Sequence, residues 1–332
     1  MGFGLRRLTR KKTMEQLTFT CKILTPMFLA GADGKTPELR AASIKGALRF
    51  WWRAMQREPD INALKAKEDA IFGGVGSSRE GAARRSKVIV RLRDISPKIN
   101  GTFSALPRGN GGYLIKVKHF DVNILEYLAF GTYERDKATK RNKMVKGYFP
   151  AEKRFEIKIL CPGELKPEIL RIMALISQVG GIGAKSRNGF GRFTIEEEMP
   201  KIEWQDLFQG NLQDYTSFSS KSKKIEMGIY SRTPLDVLAE LGKAYKEIRG
   251  KLDSPHVYSN RKYLGAPLME GKINRADLER HGKPIFFGIS PTAKGEYQGY
   301  FLVLPYNYLG GKDKHKTEKY HQATRKFIEN AK

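Results

Sequence analysis

The sequence predicts an α+β chain of two domains, and three observations carry that reading. Segments of alternating apolar and polar residues are interleaved with segments whose apolar residues recur at helical spacing. A polar, serine-rich stretch, Thr216 to Lys224, stands between two halves of the chain as a linker. Each half reads strand, helix, strand, strand, helix, with a Thr-Pro pair after its first strand. At 332 residues the chain is long enough for two cores. The expected divisions are a basic arm or extension over 1–13, a first domain over 14–210 and a second over 225–332.

In the first half, Leu17, Phe19, Cys21 and Ile23 alternate with polar residues, which gives a half-buried strand ended by Thr25-Pro26. A helix capped by Ser43 follows, with Ile44, Leu48, Trp51 or Trp52, and Met55 on its apolar face. Both tryptophans are expected in the core. On another face Lys45, Arg49, Arg53 and Arg57 recur every four residues, and like charges at that spacing repel by about a few tenths of a kcal/mol per pair. The stripe therefore works against its helix unless an anion neutralises it. Beyond Pro59 the pattern weakens, and 73–83 reads as a loop.

Lys87 to Arg93 and Tyr113 to Lys118 read as strands with basic outward faces. Residues 122–130 form a short helix, 135–146 a cationic loop and Arg154 to Leu160 a further strand. Pro167 opens a helix through Val179, and Phe193 and Ile195 begin the closing strand. In the second half, a strand through Ile225 and Ile229 precedes a helix opened by Pro234. Strands at 285–290 and 299–304 and a helix from about 316 to 331 complete it.

Lys+Arg minus Asp+Glu is 61 minus 35, giving +26 and a pI near 9.9. An excess this large favours a polyanionic partner, nucleic acid above all. A membrane partner lacks support: no apolar run approaches 18 residues, and the cationic N-terminus has no apolar region behind it. Arg6 also breaks the myristoylation pattern. Cys21 and Cys161 read as reduced core thiols of a cytoplasmic protein. They and the five scattered histidines offer no metal site, and no cofactor is expected.

The stretch of residues 180–193, GGIGAKSRNGFGRF, carries five glycines and three cations with no acid. Glycines let the chain lie close to a phosphate backbone, while Lys185, Arg187 and Arg192 supply charge. Walker and dinucleotide loops are excluded, because Ala184 precedes Lys185-Ser186 and Ser186 stands where the last dinucleotide glycine belongs. Residues 188–193 depart from the aromatic RNA-stacking pattern by lacking its leading cation, so sequence-tolerant backbone binding is expected.

Leu24 to Asp33, Glu38-Leu39-Arg40 and Ser43 to Arg53 resemble the opening signature of the repeat-associated mysterious protein (RAMP) superfamily, and 180–193 resembles its glycine-rich loop. More narrowly, Lys45-Gly46-Ala47-Leu48-Arg49-Phe50-Trp51-Trp52-Arg53 is similar to the first-subunit family of the Cmr complex, a type III-B CRISPR effector. The likeness covers 17–197 well and the second half loosely, with Gly282-Lys283-Pro284 where Ser-Pro is expected.

The resemblance implies two tandem ferredoxin-like (RRM-like) domains and a non-catalytic subunit near the crRNA 3′ end. Its expected partners are crRNA, target RNA or both, and other Cmr subunits. Its implied RNA grip is Arg40, Ser43, Lys45, Arg49 and Arg53 with Gly181, Gly183, Lys185, Ser186, Arg187, Asn188 and Arg192.

Two other functions compete. Some relatives in the superfamily cleave RNA, and Asp33 follows the first strand where the complex's slicer subunit carries an acid, so a metal-dependent endoribonuclease is the alternative. His119 with Asp121 is a second conceivable acid-base pair. Against these, Asp33 reads as a turn aspartate bonding its own backbone, and His119 as a strand-end surface residue. A DNA-binding basic protein is the third reading.

Overall fold

A computed structural model describes residues 13–331 apart from 76–82, 97–104, 118–119, 140, 255–256, 258 and 266–280. The basic arm expected at the N-terminus, most of the loop around 76–82 and His119 therefore lie outside the described residues.

The first sheet forms because β1 (Met14–Ile23) and β7 (Arg154–Pro162) alternate in matching phase. Their antiparallel register sets Leu17 opposite Ile159, Phe19 opposite Ile157 and Cys21 opposite Phe155, so one face is continuously apolar. β2 (Ile89–Asp94) flanks β7, and β8 (Phe193–Ile195) flanks β1, giving the order β2-β7-β1-β8. Helices α1 (Ala41–Ala54) and α4 (Lys166–Leu175) contribute Ile44, Leu48, Trp51, Ile172 and Met173 to the same core cluster. Trp51 and Trp52 are 2% and 3% exposed, as their place in the helix predicts. An aromatic side chain buries about 200 Å², worth about 5 kcal/mol before entropy is counted. The thiols of Cys21 and Cys161 are free and buried.

Between β2 and β7 lie two hairpins, β3 (Leu114–Val117) with β4 (Phe120–Asn123) and β5 (Tyr133–Arg135) with β6 (Asn142–Met144). The short α3 (Ile124–Leu128) sits between them. The cationic stretch expected to be a loop is thus partly a hairpin, closed by Asp136, whose carboxylate accepts from the Ala138 and Thr139 amides. Helix α2 (Ile61–Phe72), which the weak apolar pattern concealed, starts where Asp60 accepts from the Asn62 amide.

The second sheet has the order β10-β11-β9, formed by β9 (Lys223–Ser231), β10 (Ile285–Pro291) and β11 (Tyr297–Val303). Phe286, Tyr300 and Leu302 join the core of the first half, while Ile285, Phe287, Phe301 and Val303 pack on the other cluster. That second cluster includes Tyr245 of α6 (Pro234–Lys251) and Phe327 of α7 (Lys314–Asn330). It also takes in Phe28, Leu125 and Leu128 from the first half. The stretch read as a linker is packed instead: Phe218, Ser217, Ser219 and Ser222 are buried, and the Phe218 amide donates to Ala54 at 2.8 Å. The remaining helix, α5 (Trp204–Leu207), brings Trp204 against Phe218 and Tyr300.

Candidate nucleic-acid interface

Helix α1 presents different faces to the glycine loop and to α2. Ser43, Ala47 and Phe50 line a cavity of about 300 Å³ with Gly181, Gly183, Ser186 and Arg187, so the two sequence motifs do lie side by side. The cationic stripe is elsewhere. At 3.6 residues per turn Lys45 stands about 200° around the helix from Ser43. Arg49 Nε binds Glu68, its Nη1 donates to the Gly73 carbonyl at 3.1 Å, and Arg53 Nη1 reaches both Glu68 oxygens at 2.8 Å. The neutralising anion that the stripe demands is therefore protein. Arg49 and Arg53, expected to grip RNA, spend their charge inside the fold. Burial and the nearby Arg49 lower the pKa of Lys45.

The expected cap is also corrected. Arg40 flanks the first turn, exposed and without a side-chain cap bond, and Ser43 lies inside the helix. Two good helix formers, Ala41 and Ala42, carry the helix start upstream of the serine.

Five positions of the glycine loop have roles in the fold itself. Gly191 and Gly183 have φ of +67° and +93°, and an added Cβ would stand 1.9 Å from the Ile182 oxygen and 2.4 Å from the Phe28 oxygen. Close backbone crossing demands these glycines, independently of any phosphate. Gly181, expected to approach RNA, is buried, and its amide donates to Ile176 at 2.8 Å. Arg192 is fully buried, donating from Nη2 to the carbonyls of Ser177 (2.8 Å) and Ile289 (3.1 Å). Its role as a phosphate ligand is withdrawn, since the chain turns inward there to enter β8. Burial brings its pKa down to about 10. Asn188 is a brace: its amide donates to Leu128 at 2.6 Å and its oxygen accepts from the Lys283 ammonium.

Lys185, Ser186 and Arg187 are what the loop offers to a ligand. Lys185 is held at φ +63°, a left-handed conformation uncommon for a side-chain-bearing residue. A second cavity, of about 580 Å³, adjoins the first through Ser186 and Arg187 and adds Lys283, at the entry to β10, and Arg249 of α6. Among the described residues lining it, none is acidic. Lys283 Nζ lies 4.4 Å from the ring centroids of both Tyr245 and Phe287. Burial first, then the charges of Arg249, Arg187 and Lys185, push its pKa well below the usual lysine value. The Arg187 guanidinium is 4.8 Å from the Phe286 centroid and donates to the Lys283 carbonyl, and burial lowers its pKa too. Sequence reading passed over Arg249 and Lys283 as site residues because only the tertiary fold brings them to the loop.

Asp33 accepts from the amides of Lys35 and Thr36, both at 2.9 Å, and from the Thr36 hydroxyl. These bonds lower its pKa to about 2. Both of its oxygens thus serve its own turn. Among the described residues no group of three or more His, Cys, Asp or Glu is placed to hold a metal ion. None of their helices is long and apolar enough to cross a membrane.

Antiparallel sheets flanked by helices define the class, a mixed α/β protein in which Lys185, Arg187, Arg249 and Lys283 line one cavity. Residues 20–194 match the RAMP superfamily, and the chain belongs to that superfamily. It is 26% identical over 191 residues to the CRISPR system Cmr subunit Cmr1-2 of Pyrococcus furiosus, covering 55% of this chain and 96% of that protein. It is 24% identical over 288 residues to Cmr1-1 of the same organism, covering 76% of each. The apo crystal structure of Cmr1 from Pyrococcus furiosus shares the fold, with a TM-score of 0.53 and 22% identity over 89% of this chain and 88% of that one.

Proposed function

We propose that the chain is a non-catalytic RNA-binding subunit of a type III-B CRISPR effector complex, contacting guide RNA, target RNA or both near the crRNA 3′ end. Other Cmr subunits are its protein partners. One observation carries the reading: Lys185 and Arg187 from the glycine loop and Arg249 and Lys283 from the second half converge where no described lining residue is acidic. Such a seam in a chain of net charge +26 suits a phosphate backbone. Likeness to the two Cmr subunits supports the choice of complex.

The strand orders support two ferredoxin-like units. Taking β1, β2, β7 and β8 as first to fourth, the first sheet runs 2-3-1-4 with α1 and α4 as its crossovers, the arrangement of a split βαβ unit. β9, β10 and β11 run 2-3-1 with α6 and α7 following the first and third strands, the same unit without its last strand. The divisions 14–210 and 225–332 are retained as two such units that share core residues across the boundary.

The test is RNA binding by the full chain carrying Lys185→Gln, Arg187→Gln and Arg249→Gln, three of the four cations that line the seam. Affinity for single-stranded RNA should fall, and the salt dependence of log K should flatten by about 0.7 for each phosphate that the variant no longer neutralises. Unchanged affinity and slope in the folded triple variant would refute the proposal.

A further inference from the structure

The larger cavity has a composition that a groove for a bare phosphate backbone does not require. Its floor is cationic, with Lys283, Arg187, Lys185 and Arg249 gathered among described residues that include no acid. Its rim is aromatic: Phe130 is 54% exposed and meets Tyr133 edge-on at 6.4 Å between centroids. A large apolar side chain left in water beside a cation cluster is a platform on which a base can stack. The volume of about 580 Å³ is within the range that small ligands occupy.

The floor is also built at a cost that an anion would offset. The Lys283 ammonium is buried over two rings with Asn188 as its oxygen partner, and three further cations surround it. Gathering desolvated like charges is unfavourable, whereas a phosphate accepting from lysine and arginine together makes charge-assisted bonds in a low dielectric. Asn188 holds this arrangement by tying Lys283 to the Leu128 carbonyl at the end of α3, two residues before Phe130.

We propose that this cavity is a single-nucleotide site, taking one phosphate of bound RNA on Lys283, Arg187 and Lys185 and that nucleotide's base against Phe130 and Tyr133. The inference rests on the RNA-binding reading, since the nucleotide comes from the strand that the seam holds. It adds that one nucleotide leaves the strand and enters a pocket made by both halves of the chain.

The experiment titrates the full chain with AMP, with adenosine and with a labelled single-stranded RNA, in wild type, Lys283→Met and Phe130→Ala. Lys283→Met keeps the volume and removes the charge, and Phe130→Ala alters an exposed residue; circular dichroism checks both folds. AMP should bind saturably at millimolar concentration or below, adenosine about tenfold or more weakly, and Lys283→Met should weaken AMP by a similar factor. Phe130→Ala should weaken AMP severalfold, and AMP should compete with RNA. Loss of AMP binding in wild type, or AMP affinity indifferent to both substitutions, overturns the pocket while RNA binding stands. AMP binding without RNA binding overturns the RNA reading instead, and with it the strand as the source of the nucleotide.

Discussion

Arg53 Nη1 stands 2.8 Å from both carboxylate oxygens of Glu68, whose side chain is only 5% exposed. The same carboxylate holds Arg49, whose Nη2 also lies 3.4 Å from Asp69, so two acids from α2 offset the repulsion along the α1 stripe. Glu68→Gln keeps the shape and removes the charge, leaving Arg53, about a third exposed, without this carboxylate and Arg49 with Asp69 alone. Breaking a buried pair costs about 3–5 kcal/mol, and the solvent access of the arginines reduces this to about 2–3 kcal/mol. Chemical denaturation should report a loss of that size. A variant as stable as wild type would mean that the pairing contributes little and that the stripe is open to external anions after all.

Gly191 supplies a backbone requirement that no other residue meets. At φ +67°, with the Ile182 oxygen 1.9 Å from the position of a Cβ, Gly191→Ala forces the loop apart from its own neighbour. The positive φ and the clash together should cost more than about 3 kcal/mol. Thermal melting should show a large drop or no folded protein, whereas Gly46→Ala, with open space around it, should be tolerated. Equal melting temperatures for the two variants would contradict the crossing geometry.

Arg192 joins the two halves from within, through Ser177 on one side and Ile289 on the other. Truncation to alanine removes both hydrogen bonds and opens a cavity, which should cost about 3 kcal/mol. RNA affinity, measured where the variant remains folded, should stay within about twofold of wild type, well under the 1.4 kcal/mol of a tenfold change. A larger loss without unfolding would return Arg192 to the binding surface.

The parts of this fold that alternate or repeat locally were legible in the sequence. Leu17, Phe19 and Cys21 announced β1, and the apolar stripe that includes Ile44, Leu48 and Trp51 announced α1, because one buried face imposes its own period. The destination of Arg49 and Arg53 was hidden with α2, whose buried members Leu64, Glu68 and Phe72 make a sparse pattern. Arg192 looked like Lys185 and Arg187 because charge in a glycine-rich loop gives no sign of which way a side chain turns. Lys283 is 95 residues from Asn188 in sequence and meets it only after both halves have packed. The position of the seam was thus readable from the glycine loop, and half of its charge was not.

The protonation of Lys283 offers a test that needs no substitution at the rim. Burial and the charges of Arg249, Arg187 and Lys185 hold its folded pKa well below 10.5, while the unfolded chain keeps the ordinary value. Between those two values the unfolded state binds more protons, so the stability of the free protein should rise with pH through that window. Below the folded pKa the cost is full and constant. The rise should be absent in Lys283→Met. The groups facing the ammonium are Lys185 and Arg187 from the loop, Arg249 and Tyr245 from α6, and His281 on its own segment. A phosphate entering among them favours the charged form, so binding should take up protons on the alkaline side. Calorimetry of AMP or RNA binding in two alkaline buffers of different ionisation enthalpy reads this directly. Proton uptake in wild type that is reduced in Lys283→Met fits a phosphate on that ammonium; proton release, or equal heats in the two buffers, would place the phosphate elsewhere.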